Sequence, residues 1–402
     1  MLVLSRLGGL GTEAFARADF QNYFQTVSLL GMKKVAQTSK LEIRNDKEIL
    51  AYEAGKSLAY WSSAQEPMIE IEAAPLIFVG YGVEAPEYNW DDLKGFDLKG
   101  KVLLFLNDDP PVEEAGVELF SGKERTYYGR WTYKFEQAMK HGADGALVIH
   151  TTESASYPFS VVQHSGVVEN FALDLPNTDY KVKLLGWIDR ERSEAIASSM
   201  GKTLQDLFLS ASSRNFQPID TGYRVTALIN THIRNLESKN VVGVLKGQDT
   251  ILKNQLIVFS AHYDHMGTNL ELDGDDKVFN GAWDNASGTA CLLSLARAFS
   301  CLSERPRRSV AFLACTGEEK GLLGSSWFVS RPPLPLNKIV ANYNIDMPQI
   351  FGVTTDIGAI GFDMNTLGDD LKRAARLKGW RYPYSLQITG DTDPSAGRFY
   401  RS

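Results

Sequence analysis

The chain has 402 residues, 44% hydrophobic and 23% charged, with a formal net charge of −7. That length accommodates two domains with separate cores, and an acidic balance without any basic run argues against a nucleic-acid surface. No apolar stretch reaches the roughly 18 residues that a membrane span requires, and three cysteines, Cys291, Cys301 and Cys315, are too few for a disulfide framework.

The opening residues, Met1 to Arg6, lack the basic and long apolar regions of a signal peptide. Residues Ala14 to Leu30 place Phe15, Phe20, Phe24, Val27 and Leu30 on approximately one helical face, with Gly31 as a C-cap, so the spacing predicts a first helix. From about Ala74 to Ile219 the pattern changes to short strands and turns. Pro75–Gly82 and Lys101–Leu106 read as strands, Lys134–Lys140 as a helix stopped at His141-Gly142, and Ala146–His150 as a further strand. No carboxylate cluster accompanies His141 or His150, which read as structural, and His164 and His232 also fall outside any ligand pattern. The chain returns to the larger domain near Arg224–Ile229 and Asn240–Leu245.

The chemistry is concentrated after residue 255. His262 follows Leu256–Ala261, an apolar run that reads as a buried strand, and so sits where open α/β sheets place their ligands. Asp264 is either a ligand or the carboxylate that orients His262 by accepting its other ring N–H; the second role is favoured. Asp284 precedes the helical pattern Cys291–Phe299. Asp commonly starts helices, but other acid and imidazole groups at nearby strand ends favour a metal role for Asp284. The strand Ser309–Cys315 delivers Glu318 and Glu319 on a glycine-flanked turn; one can bind metal while its neighbour works on the metal-bound water. A third strand, Ile339–Ile345, ends at Asp346, an acid that would be costly to bury unpaired. Imidazole and carboxylate oxygen are zinc donors, and a two-zinc site with one bridging carboxylate needs about five protein ligands plus a general base. These segments supply four ligands and the base. Cys291 and Cys315 read as small buried hydrophobes.

His-Tyr-Asp-His-Met-Gly from 262, Trp-Asp-Asn-Ala-Ser-Gly from 283, Thr-Gly-Glu-Glu-Lys-Gly-Leu-Leu-Gly-Ser from 316 and Asn-Ile-Asp-Met from 344 resemble, in order and spacing, the motif series of the co-catalytic zinc aminopeptidases, metallopeptidase family twenty-eight. The resemblance implies two Zn²⁺ ions: His262 and Asp346 on one, Glu319 and a late histidine on the other, Asp284 bridging, and Glu318 as general base. His265 resembles a family position that is not a ligand. The late histidine of the family follows a Ser-Asp pair in a segment that begins like Ala396–Ser402, so the fifth ligand is expected beyond residue 402, with the chain cut short at its C-terminus.

The Gly-Ala-Asp-Gly-Ala turn from 142 and the Gly-Tyr-Gly-Val segment from 80 resemble a protease-associated domain. The expected architecture is α/β: a zinc-exopeptidase-like mixed sheet with helices on both faces, formed by residues 1–73 and 220–402, with a mostly β protease-associated insert at 74–219. The implied function is a zinc exopeptidase acting on peptides with a free N-terminus, without nucleic acid or a membrane span. The family resemblance suggests a secreted or periplasmic protein. Carboxypeptidase-type action would call for an arginine cluster, for which Arg125, Arg130 and Arg398 are candidates without a pattern. Dipeptidase activity, a glutaminyl-cyclase-like transferase with one zinc, and an inactive or receptor-like protein are the remaining alternatives.

Overall fold

The computed structural model describes residues 7, 10, 12–14, 20–52, 55–114, 116–120, 125–163, 166, 168–175, 181–269, 274–350, 352–359 and 365–381. His164 and Arg398 lie outside the described residues. Two compact units emerge, one from Met1–Leu29 with Asn235–Leu386, the other from Leu30–Arg234. The sequence boundaries at 73/74 and 219/220 fall elsewhere because strands before residue 74 pair inside the second unit. Lys40–Arg44 runs antiparallel to Ile219–Leu245, and Leu58–Trp61 runs antiparallel to Leu184–Ile188.

In the first unit, three parallel strands lie in the order Ile339–Asn344, Leu256–His262, Ser309–Cys315, and the last part of Ile219–Leu245 joins antiparallel, from Val241 opposite Ala314 to Leu245 opposite Val310. Alternation along a strand sends successive side chains to opposite faces. Val310, Phe312 and Ala314 therefore pack with Leu292 and Ala296 of the helix Gly288–Ser300, while Ala311, Leu313 and Cys315 pack with Phe328 of the helix Leu323–Ser330. Both faces are thus covered, which explains why all seven residues of Ser309–Cys315 are buried. Truncating the fully buried Phe312 to alanine would cost about 3–5 kcal/mol.

The second unit is built on Met68–Phe78, Val102–Leu106, Gly145–Ile149 and Leu184–Ile188, each parallel to the next. Leu104, Leu106, Leu147 and Ile149 feed one core; Leu103, Phe105, Ala146 and Val148 feed the core on the other face. The helices Trp131–Lys140, Arg190–Ser199 and Leu204–Ala211 complete it. Lys134, fully buried, donates to the carbonyls of Tyr81, Asp108 and Tyr128 at 2.8, 3.0 and 2.8 Å.

The predicted first helix is not formed: Phe24–Lys34 is a strand. Gln25, Val27 and Leu29 are buried in alternation, a period of two that the polar Gln25 conceals. Its amide donates to the Arg331 carbonyl and accepts from Asn240, each at 3.0 Å, so a polar side chain occupies a core position at no unsatisfied cost. Among the described residues, no helix is long and apolar enough to cross a membrane.

Candidate metal centre

The parallel register sets His262 opposite Cys315 at the ends of neighbouring strands, and the loops that follow carry the acids. His262 is buried, 2% exposed. Its Nδ1 lies 2.9 Å from the Asp264 backbone carbonyl, so an N–H there leaves Nε2 facing the carboxylates. Nε2 is 3.0 Å from Asp284 Oδ1, 3.5 Å from Asp346 Oδ1 and 4.0 Å from Glu318 Oε2. The His262 carbonyl accepts from Thr289 Oγ1 at 2.9 Å, which fixes the strand end against the helix Gly288–Ser300.

Asp264 orients His262 with its backbone rather than its carboxylate. The carboxylate instead crosses to the next strand, where Oδ2 accepts from Thr316 Oγ1 and the Gly317 amide. Asp264 thereby anchors the turn bearing Glu318 and Glu319. That turn, Glu318–Lys320, is bounded by Gly317 at φ 66° and Gly321 at φ 106°, left-handed values that a glycine adopts without strain.

Asp284 is not a helix cap. It has φ −104° and ψ 95°, follows Gly281 at φ 61°, and is joined to Asn285 by a cis peptide. Asn285, 1% exposed, takes the capping role: Oδ1 accepts from the Gly288 amide at 2.9 Å, and Nδ2 donates to the Ile345 carbonyl at 2.9 Å. One buried amide therefore ties the Asp284 loop to the segment carrying Asp346.

Two triplets result, His262–Glu318–Asp346 and His262–Asp284–Glu319, with the ligand atoms of each within 4.8 Å of one another. Five carboxylates, including Asp264, converge with two imidazoles, His262 and His265. Glu319 Oε1 and Asp264 Oδ1 are buried without a hydrogen bond, an expensive arrangement for carboxylates. Burial raises the Glu319 carboxyl and the adjacent Asp284 adds to that, against the pull of His265 and His262. For His262, burial lowers the imidazole, but contact with Asp346, the Asp264 carbonyl and the Glu318 charge outweigh it and carry it to about 9. The centre thus demands positive charge at Nε2, and its nitrogen and carboxylate donors are those zinc accepts. A cavity of about 150 Å³ adjoins it, lined among others by Ser260, Glu318, Leu322 and Asn344.

Residues 240–397 match the profile of peptidase family M28. His262, Asp264, Asp284, Glu318, Glu319 and Asp346 all lie within the matched segment. A probable zinc metalloprotease of Pyricularia oryzae is 41% identical over 91 residues, 22% of this chain and 16% of that protein. Aminopeptidase YwaD of Bacillus subtilis is 32% identical over 114 residues, 28% and 22% respectively. The chain therefore spans less than a quarter of these two relatives. Among solved structures, an aminopeptidase from Aneurinibacillus sp. strain AM-1 is similar with a TM-score of 0.44 at 18% identity, over 95% of this chain and 72% of that one.

Outside the matched segment, His141 Nε2 lies 3.0 Å from Glu84, and His150 packs among Tyr157, Phe159 and Trp187. Arg125 contacts Asp108 and the Ser154 carbonyl, and Arg130 precedes the helix Trp131–Lys140. Asn285, Thr289 and Asn240, whose Oδ1 accepts from the Thr316 amide at 3.1 Å, support the candidate centre and went unrecognised in the sequence. Only Asn285, next to Asp284, carried a local signal. Cys315 is buried as expected, whereas Cys291 is half-buried.

Proposed function

We propose that the protein is a two-zinc exopeptidase that releases N-terminal residues from peptides. The observation that carries this reading is the pair of triplets sharing His262, one of them including Glu318, 9% exposed at its side chain. His262 and Asp346 would hold one ion, Glu319 the other, with Asp284 between them. Bound zinc supplies the Lewis acidity that lowers the pKa of a water and polarises the scissile carbonyl. Glu318 accepts the proton of the attacking water and delivers it to the leaving amine. Asp264 positions Glu318 through the Thr316-Gly317 turn. The surplus of carboxylates suits a substrate with a charged α-amino group, and the Bacillus subtilis relative is an aminopeptidase. Residues 74–219, within the Leu30–Arg234 unit, are proposed as a protease-associated module.

The test is Glu318→Gln, which should lower kcat on aminoacyl-p-nitroanilides by about 10²–10⁴-fold while zinc content stays constant. Unchanged turnover would remove Glu318 from the mechanism.

A further inference from the structure

We infer that the end of the first unit opposite the metal centre is a docking face for an anionic lipid surface. The parallel strands Ile339–Asn344, Leu256–His262 and Ser309–Cys315 turn their C-terminal ends to the acids of the centre. Their N-terminal ends are entered by the segments 335–338, 252–255 and 302–308, and residues 246–249 leave the antiparallel strand beside them. Strand order therefore sets these loops in one row.

Charge is concentrated in that row. Lys246, Lys253, Arg305, Arg307, Arg308 and Lys338 stand against Asp249 and Glu304, six cations to two acids and a net +4, in a chain whose formal charge is −7. Each loop also projects one aliphatic side chain: Ile251 is 75% exposed, Leu336 51% and Leu302 50%. Single exposed apolar residues are ordinary. One on each of three basic loops at one end of a sheet is the combination that an anionic bilayer rewards, since cations meet lipid phosphates while apolar tips leave water at the acyl boundary. A sulfated glycan or a nucleic acid would engage the cations and leave the three tips in water, which favours the lipid.

The tip bearing Ile251 is held in its projecting form. Asp249 Oδ1 accepts from the Ile251 and Leu252 amides at 2.9 Å each, and Oδ2 accepts from Arg307 Nε and Nη2 at 3.1 and 3.0 Å. The Gln248 amide donates to the Pro306 carbonyl at 2.9 Å, so the 246–255 and 302–308 loops are tied to each other before docking and little ordering remains to be paid. The strand Leu256–His262 has seven residues, at about 3.3 Å each, which sets the face roughly 20 Å from His262. A unit docked this way keeps its metal centre out of the lipid.

The experiment floats the full zinc-loaded chain with vesicles of phosphatidylcholine alone, or of phosphatidylcholine and phosphatidylglycerol in equal parts. The wild type should float with the mixed vesicles only, and less as added salt shortens the screening length. Arg305→Ala with Lys338→Ala should lower partition by about 25-fold, about five-fold for each cation. Ile251→Ser with Leu336→Ser should lower it by at least about ten-fold while retention on immobilised heparin stays unchanged. All four residues lie outside the metal centre, so zinc content, melting temperature and aminoacyl-p-nitroanilide hydrolysis in solution should match the wild type. Should a double variant melt early, Ile251→Ser alone, at the most exposed of the three tips, carries the test.

A wild type that stays at the bottom of the gradient with mixed vesicles would overturn the inference. So would flotation that survives loss of the apolar tips in full, which would assign the face to polyanions in general, or equal flotation with both vesicle compositions, which would remove the charge from the account.

Discussion

Asn285 donates its side-chain amide to the Ile345 carbonyl at 2.9 Å, and this buried bond holds the Asp284 loop against the segment ending in Asp346. The same side chain accepts from the Gly288 amide. Asn285→Ala would leave buried backbone groups unsatisfied, at about 1–3 kcal/mol for each group. Because it also frees both loops, zinc affinity should fall about 10–100-fold, as for loss of other outer partners. Urea denaturation and zinc competition on the same variant check both effects.

Metal and proton compete for His262. Its imidazole, raised to about 9 by the surrounding carboxylates against the effect of burial, should carry a proton at pH 7 before zinc enters. Zinc binding there should therefore release about one proton at that pH. Affinity should climb as pH rises from 6 and flatten above about 9. Calorimetric titration in two buffers of different ionisation enthalpy measures the proton count. The sign for stability is opposite: a raised folded pKa stabilises the metal-free fold fully below the unfolded value near 6.5, and that contribution is lost as pH rises through about 9. The unfolding midpoint of the chelated protein should fall over that window.

Lys134 tests the second unit independently of the metals. Its ammonium satisfies three backbone carbonyls from a fully buried position, so Lys134→Met should destabilise by on the order of 3 kcal/mol. Denaturant unfolding gives the value directly. A change below about 0.5 kcal/mol, typical of exposed sites, would contradict the role.

The cysteines should separate by reactivity. Burial pushes the Cys315 thiol up to about 12, whereas Cys301 is exposed and Cys291 half-buried. Since the thiolate is the nucleophile, a disulfide reagent at pH 8 should label Cys301 first and Cys315 only after unfolding. Mapping the labelled peptides decides this.

The strands bearing the site were legible because continuous apolar runs such as Ser309–Cys315 are what burial on both faces requires. The acids at their ends were legible through spacing. The strand Phe24–Lys34 was not, because Gln25 breaks the apolar alternation while its partners, Arg331 and Asn240, lie more than 200 residues away. The same limit concealed which atom of Asp264 meets His262, since the Asp264 carboxylate is drawn to Thr316 and Gly317 on the neighbouring strand. The sequence did not show that His265 stands beside the acids, with Nε2 3.3 Å from Glu319 Oε1.

The most direct test of the two-metal account is zinc content by elemental mass spectrometry on dialysed protein, paired with aminoacyl-p-nitroanilide hydrolysis before and after chelation. The account predicts about two zinc ions per chain, with hydrolysis abolished by chelator and restored by added zinc. Protein that retains no zinc, or hydrolysis indifferent to its removal, would contradict it.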